Sequence, residues 1–243
     1  MITRRDVLQE LNLWPVWRLR NGCATEPGAV SAVSQTAGER DSLPDRRAAI
    51  LRMDWRELRQ AVAACTACRL HESRSQAVFG VGDEQADWLF VGEGPGAEED
   101  RLGEPFVGPA GRLLDSMLAA IHLQRGNNVY IANAVKCRPP GNRNPDADEM
   151  AACEPYLTRQ IALLQPRLIV ALGKVAAQGL LGKDHSIASL RGTLHQAQGI
   201  PLIVTYHPAY LLRSPLDKAR AWEDLCFAVR TMNGLQTKAL AAS

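Results

Sequence analysis

Four cysteines stand where thiolates could share a ligand. Cys65 and Cys68 form a C-x2-C pair, Cys137 closely follows an apolar run, and Cys153 falls inside the helical pattern after that. The pair alone is weak evidence, because free cysteine is often simply buried. Cys137, however, lies in KCRPPGNRNP, where consecutive prolines and a glycine hold the backbone in a ligand-like loop. Four thiolates suit a closed zinc site or an iron–sulfur cluster, and spacing does not separate the two. Cys23 and Cys226 stand apart and read as incidental or core residues. A second concentration of chemistry is GEGPGAEEDRLGEPFVGPAG, residues 92–111, with six glycines and three prolines. Glycines let backbone amides approach a ligand closely, and a helix N-terminus favours negative charge. The segment matches neither the dinucleotide fingerprint nor a Walker loop. A third is His207-Pro208-Ala209-Tyr210, just after an apolar run.

The elements that must position these residues follow from the hydrophobic pattern. Trp88–Val91, Val129–Ala132, Leu168–Leu172 and Leu202–Val204 are short continuous apolar runs, the signature of buried parallel strands. Between them, Leu113, Leu114, Met117, Leu118 and Ile121 mark one helix. Asn144-Pro145 caps and opens another through about Leu164, and a third follows Gly173. Upstream, Asp54 with Glu57 three residues on predicts a capped helix that delivers Cys65. This succession predicts an α/β fold with a parallel sheet covered on both faces and a site at the carboxyl ends of its strands. Residues 1–20, with Val7, Leu8, Leu11 and Trp14 at helical spacing, predict a short helical segment. Residues 21–47, rich in small residues, proline and charge, predict a flexible linker. The main domain is expected over 48–234, with a tail over 235–243.

Charge does not announce a polyanion binder: the net charge is +2, and residues 61–243 hold 18 basic and 18 acidic groups. Nucleic-acid binding would have to rest on local clusters. Lys136, Arg138 and Arg143 form one candidate, and Arg191 and Arg213, in loops at the expected site, could also grip phosphate. No run approaches the roughly 18–20 apolar residues of a membrane span, and the N-terminus carries charge where a signal peptide would be apolar. No membrane association and a cytoplasmic location are therefore expected, and cysteines in that compartment serve metals, catalysis or burial rather than disulfides.

Together, GE-G-PG-x-EED, PFVG-AG, N-A-V-KCRPP-NR, the four-cysteine set and HPAY resemble the family-4 uracil-DNA glycosylases over roughly residues 60–232. The resemblance implies a three-layer α/β/α fold around a four-stranded parallel sheet. It also implies a 4Fe-4S cluster on Cys65, Cys68, Cys137 and Cys153, and hydrolysis of the glycosidic bond of deoxyuridine in single- or double-stranded DNA by a monomer. Phe106 matches the residue that stacks on uracil, and Asn133 the one that reads its edge. Glu99 matches a position that helps select uracil, while Glu98 and Asp100 are expected to face solvent or cap the loop. His207 matches the histidine that hydrogen-bonds the base oxygen as the bond breaks. Glu93 and Gly94 stand where another family of these enzymes has Gln and a water-orienting Asp. Gly94 offers only backbone there, so Glu93 is the expected water-activating group. Gly96 replaces a tyrosine that blocks thymine, leaving exclusion of the methyl group to Glu99.

Two other readings compete. Some iron–sulfur relatives capture uracil covalently through a KRRIH loop, which is missing here. An electron-transfer or structural metal domain would leave the joint presence of Phe106, Asn133 and His207 without a reason. Leu11, Trp14 and Trp17 ahead of a linker would suit a tethered motif that docks on a replication or repair partner.

Overall fold

The computed structural model describes residues 43–182 and 184–242. The expected helical segment 1–20 and most of the expected linker lie outside them. Within them the four apolar runs are strands: β2 (Trp88–Gly92), β3 (Val129–Asn133), β4 (Leu168–Leu172) and β6 (Ile200–Thr205). All four pair in parallel, in the order β3-β2-β4-β6. Every residue of β2, β3 and β4 is buried, as a parallel sheet covered on both faces requires.

The sheet is six-stranded rather than four-stranded. Short antiparallel strands, β1 (Val81–Gly82) and β5 (His195–Ala197), close its two edges. β5 turns into β6 through Gln198 and Gly199, both with positive φ, the backbone of a tight hairpin. Neither edge strand carries a continuous apolar run, so the pattern that finds the central strands passes over both.

Side chains alternate across the sheet and divide its core in two. Leu89, Val91, Tyr130, Ala132, Ile169 and Ala171 pack against α6 (Ala147–Leu164) and α7 (Lys174–Leu181) on one face. Phe90, Ile131, Val170 and Ile203 pack against α5 (Pro109–Ala120) and α10 (Lys218–Ala242) on the other. The result is the expected three-layer α/β/α arrangement. Helix α10 runs through most of the segment read as a tail. Among the described residues no helix is long and apolar enough to cross a membrane.

Near the start, α1 (Leu43–Ile50) begins inside the stretch expected to be a linker and runs into the expected main domain, and α2 (Trp55–Ala63) and α3 (Leu70–Ser73) come next. The amide of Glu57 donates to Asp54 Oδ1 at 2.8 Å, and the amide of Asp54 to Glu57 Oε2 at 2.9 Å, so the expected capping box starts α2. Helices α1 and α2 are fastened to α6: Arg46 Nη1 donates to Ala152 O (3.0 Å), Arg47 pairs with Glu154, Arg159 Nε donates to Met53 O between the two (2.6 Å), and Tyr156 donates from its hydroxyl to Ala61 O (3.1 Å). Helix α6 itself starts at Asp146, whose amide donates to Glu149 Oε2 at 2.8 Å, two residues beyond the predicted cap.

The chain leaves β2 toward β3 on one side, and β4 lies on the other side. That reversal opens a crevice at the carboxyl ends of the strands. Gly92 and Asn133 sit opposite each other at the ends of β2 and β3, and Leu172 and Thr205 at the ends of β4 and β6.

Candidate active site

A cleft of about 700 Å³ occupies this crevice, a typical size for a small-molecule site. Glu93, Gly94, Glu99, Phe106, Asn133 and His207 all line it. The strand ends, the loop after β2 and the loop after β6 thus bring together the six residues singled out from the sequence.

Asn133 ends β3 and is 2% exposed, and its Oδ1 is buried without a hydrogen-bond partner. A buried acceptor left unpaired costs about 1–3 kcal/mol, so it is a feature that stability alone would remove. Space for it depends on the strand opposite: a Cβ on Gly92 would stand 2.5 Å from Asn133 Oδ1 and 2.5 Å from Phe106 Cζ. The Gly92 position therefore keeps open the ground shared by the carboxamide and the ring.

Phe106 is buried and has φ +57, a left-handed backbone that bulky residues rarely adopt. Its ring lies 5.5 Å from that of His207, centroid to centroid, tilted by 31°. His207 caps α9 (Pro208–Arg213): its Nδ1 accepts from the amide of Ala209 at 3.1 Å. With Nδ1 an acceptor, the neutral ring carries its proton on Nε2. Burial, with a further push from the Arg213 guanidinium, pulls the histidine down to about 4, so it is neutral at physiological pH.

Helix α4 (Ala97–Leu102) presents Glu99. Its Oε2 accepts from the amide of Gly96 (3.1 Å), and its Oε1 from the amides of Val107 (3.0 Å) and Gly108 (3.1 Å). Three backbone donors fix this carboxylate as a wall joining both ends of the glycine-rich loop. Glu93 is half-buried with no side-chain partner among the described residues, and burial raises its carboxyl above the ordinary value. A Cβ on Gly94 would meet Val135 Cγ2 at 2.7 Å, so this backbone is kept close to the strand-end loop.

Several charged residues sit differently from expectation. Lys136 is not a surface cation: it is 1% exposed, and its Nζ donates to Asn133 O (2.8 Å) and Gln160 Oε1 (2.6 Å). Its four-carbon stem follows the buried strand inward, where two carbonyl oxygens meet the ammonium. Arg143 is held by both oxygens of Glu149 (2.7 and 2.8 Å), and Arg191 by Asp224 (2.6 Å). Arg138 and Arg213 remain partly or fully exposed, and Arg213 lines the cleft. Glu98 does face solvent, paired with Arg101, but Asp100 is buried and accepts from the amide of Ser75 at 2.9 Å. Arg125, which no motif flagged, reaches the backbone of Phe106. It stands in a loop of mixed polar residues where no pattern marks it.

Cys65, Cys68, Cys137 and Cys153 line a second, small cavity with apolar walls, shared with Lys136 and Tyr156. Among the described residues no three Cys, His, Asp or Glu side chains are grouped closely enough to grip one metal ion. The sulfurs do attract donors. Arg74 Nη1 reaches Cys137 Sγ at 2.9 Å, Arg46 Nη2 reaches Cys65 Sγ at 3.6 Å, and the amide of Lys136 reaches Cys153 Sγ at 3.2 Å. Cys226 lies elsewhere, on α10.

Residues 79–226 match the family model described as the Uracil DNA glycosylase superfamily. The chain is 41% identical to a type-4 uracil-DNA glycosylase of Pyrobaculum aerophilum, over 71% of this chain and 92% of that protein. It is 46% identical to one of Thermotoga maritima, over 66% and 84% of the two chains. It is 43% identical to one of Archaeoglobus fulgidus, over 63% and 81%.

Proposed function

The chain belongs to the uracil DNA glycosylase superfamily, and from that premise we propose that it excises uracil from DNA as the first step of base excision repair. The observation that carries the reading is the partnerless, buried Oδ1 of Asn133 in one cleft with Phe106 and His207. An acceptor kept unpaired in a closed site fits a ligand that brings its own donor, and uracil offers N3–H.

The cleft cannot reach a base stacked in a duplex, so the nucleotide is extruded or met in single strand. A uracil left by cytosine deamination sits opposite guanine and is cheaper to extrude. Once inside, the pyrimidine stacks on Phe106 while the Asn133 carboxamide pairs with N3–H and O4. Cytosine presents the opposite donor pattern at those atoms. The fixed Glu99 carboxylate walls the pocket against the methyl group of thymine.

Cleavage of the C1′–N1 bond leaves negative charge on uracil and positive charge on the sugar. Neutral His207 donates from Nε2–H to the base oxygen, an interaction that strengthens as the charge develops. Glu93 stabilises the sugar cation and orients the water whose oxygen ends on C1′. One water proton stays on the new C1′ hydroxyl and the other ends on N1 of the departing uracil by way of solvent, so the hydrolysis balances with no change of oxidation state.

The four cysteines line one cavity and supply the all-thiolate donor set of a 4Fe-4S cluster, the group that the family resemblance implies. Burial pushes the thiols of Cys68, Cys137 and Cys153 up, the last to about 12, so a metal charge is needed to keep them ionised. Bound there, the cluster supplies a structural cross-link among α2, α6 and the loop after Asn133.

The reading is tested by incubating purified protein with labelled oligonucleotides carrying uracil in single strand, uracil opposite guanine, or thymine, then cleaving abasic sites with alkali. Breaks at uracil alone support it. Binding of uracil-DNA without breaks moves the assignment to a uracil-binding protein. For the cysteines, Cys153→Ala is expected to lose iron and the visible absorbance. It should also melt roughly 10 °C or more lower, since each kcal/mol is worth about 2–4 °C in a chain of this length. One zinc per wild-type chain, with no iron, would overturn the cluster assignment.

A further inference from the structure

We infer that Arg125 is the positioning residue that holds Phe106 in its base-stacking pose. A phenylalanine at φ +57 does not stay there by its own preference, so the surroundings have to impose the conformation. Two features converge on its backbone. Arg125 Nη1 donates to Pro105 O at 2.9 Å and Nη2 to Phe106 O at 2.9 Å, so one guanidinium grips two consecutive carbonyls. On the other side the first turn of α5 presses against the same carbonyl: a Cβ on Gly111 would lie 1.7 Å from Phe106 O.

The grip is itself oriented. Arg125 Nε and Nη2 donate to Asp115 Oδ1 at 3.1 and 2.9 Å, and Asp115 sits on α5. The loop carrying Arg125 is closed by a bridge between Gln124 and Asn127 just before β3. The guanidinium therefore ties α5, the approach to β3 and the glycine-rich loop to one another at the residue whose ring faces His207. The planar fork spreads these contacts over Nε, Nη1 and Nη2, whereas a lysine ammonium would have to gather them at a single atom. Arg125 does not line the cleft, so it acts through Phe106.

The inference rests on the reading that Phe106 stacks on the base, and a double-mutant cycle separates the two. Single-turnover excision from a single-stranded uracil oligonucleotide is measured for Phe106→Ala, Arg125→Ala, Arg125→Lys and Phe106→Ala/Arg125→Ala, alongside melting temperatures and affinity for uracil-free DNA. Phe106→Ala is expected to lower kcat/KM about 5- to 100-fold, the range of a base–aromatic stack. Arg125→Ala is expected to lose about tenfold and Arg125→Lys nearly as much. The double variant should be no worse than Phe106→Ala, because removing the ring removes what Arg125 positions. Affinity for uracil-free DNA should not change.

Losses that multiply in the double variant, or a fall in affinity for uracil-free DNA, would overturn the inference, placing Arg125 in general stability or on the phosphate backbone. A fully active Phe106→Ala would instead overturn the stacking reading. If Arg125→Ala fails to fold, Asp115→Ala, at a half-exposed position, releases the fork and takes its place in the same cycle.

Discussion

His207→Ala lowers the rate of uracil excision about a hundred- to a thousandfold, with binding of uracil-DNA little changed. The size follows from removing one donor aimed at a developing anion in a water-poor site. The loss falls on kcat because the hydrogen bond is stronger to the anion than to the bound base. Since the ring is held down to about 4, excision by the wild type should show no inflection between about pH 6 and 8. The same shift links to stability. The unfolded chain takes up the histidine's proton near its ordinary value of about 6.5, whereas the folded chain resists until about 4. As pH falls through that window the unfolded state binds more protons, and stability declines. His207→Ala removes this contribution, so its melting temperature should fall less between pH 6.5 and pH 4 than that of the wild type. Thermal melts across the window, with single-turnover rates at neutral pH, check both halves. A His207→Ala rate within about threefold of wild type would rule the histidine out as the donor.

Asn133→Asp lowers uracil excision by about a thousandfold or more and brings cytosine excision into range. A site built to pair with specific donors and acceptors rejects a mismatched partner far more strongly than a merely shape-matched one does. The carboxylate offers acceptors only, so it repels O4 of uracil but accepts from the exocyclic amine of cytosine. The effect is large because Oδ1 is already buried and unpaired, and no other group among the described residues compensates it. Cleavage of matched cytosine- and uracil-containing oligonucleotides measures the switch. Loss of both activities, in a variant that melts like wild type, would mean that Asn133 orders the strand end without reading the base.

How much of this was legible in the sequence depended on the kind of signal each part leaves. The central strands were, because a strand buried on both faces must be apolar at every position, as Leu168–Leu172 is. The hairpin at His195–Ala197 was not, because an edge strand of three residues needs no apolar run and is specified by Gln198 and Gly199. The cleft residues were legible through their motifs, whose spacing the fold converts into proximity at the strand ends. The charged residues were the least legible. Lysine is rarely buried, so composition marks Lys136 as surface, yet the Asn133 and Gln160 oxygens take it inside. Arg143 and Arg191 look free along the chain because Glu149 and Asp224 become their neighbours only through folding. Arg125 carries no pattern, and its place emerges only from the two carbonyls it meets.

The fastening of α1 and α2 to α6 bears on how this protein can be inherited and rearranged. The stretch matched by the superfamily model begins at residue 79, but Cys65 and Cys68 precede it, and Arg46 reaches Cys65 from further upstream. The working unit therefore extends upstream of the stretch that the superfamily model matches. A gene fusion or deletion joined at residue 79 would sever two of the four sulfurs from their partners. A junction placed before Leu43 leaves every contact described for these helices in one piece. Lineages free to exchange the beginnings of their chains are expected to do so ahead of that helix, and to keep everything from Leu43 onward as a single heritable block.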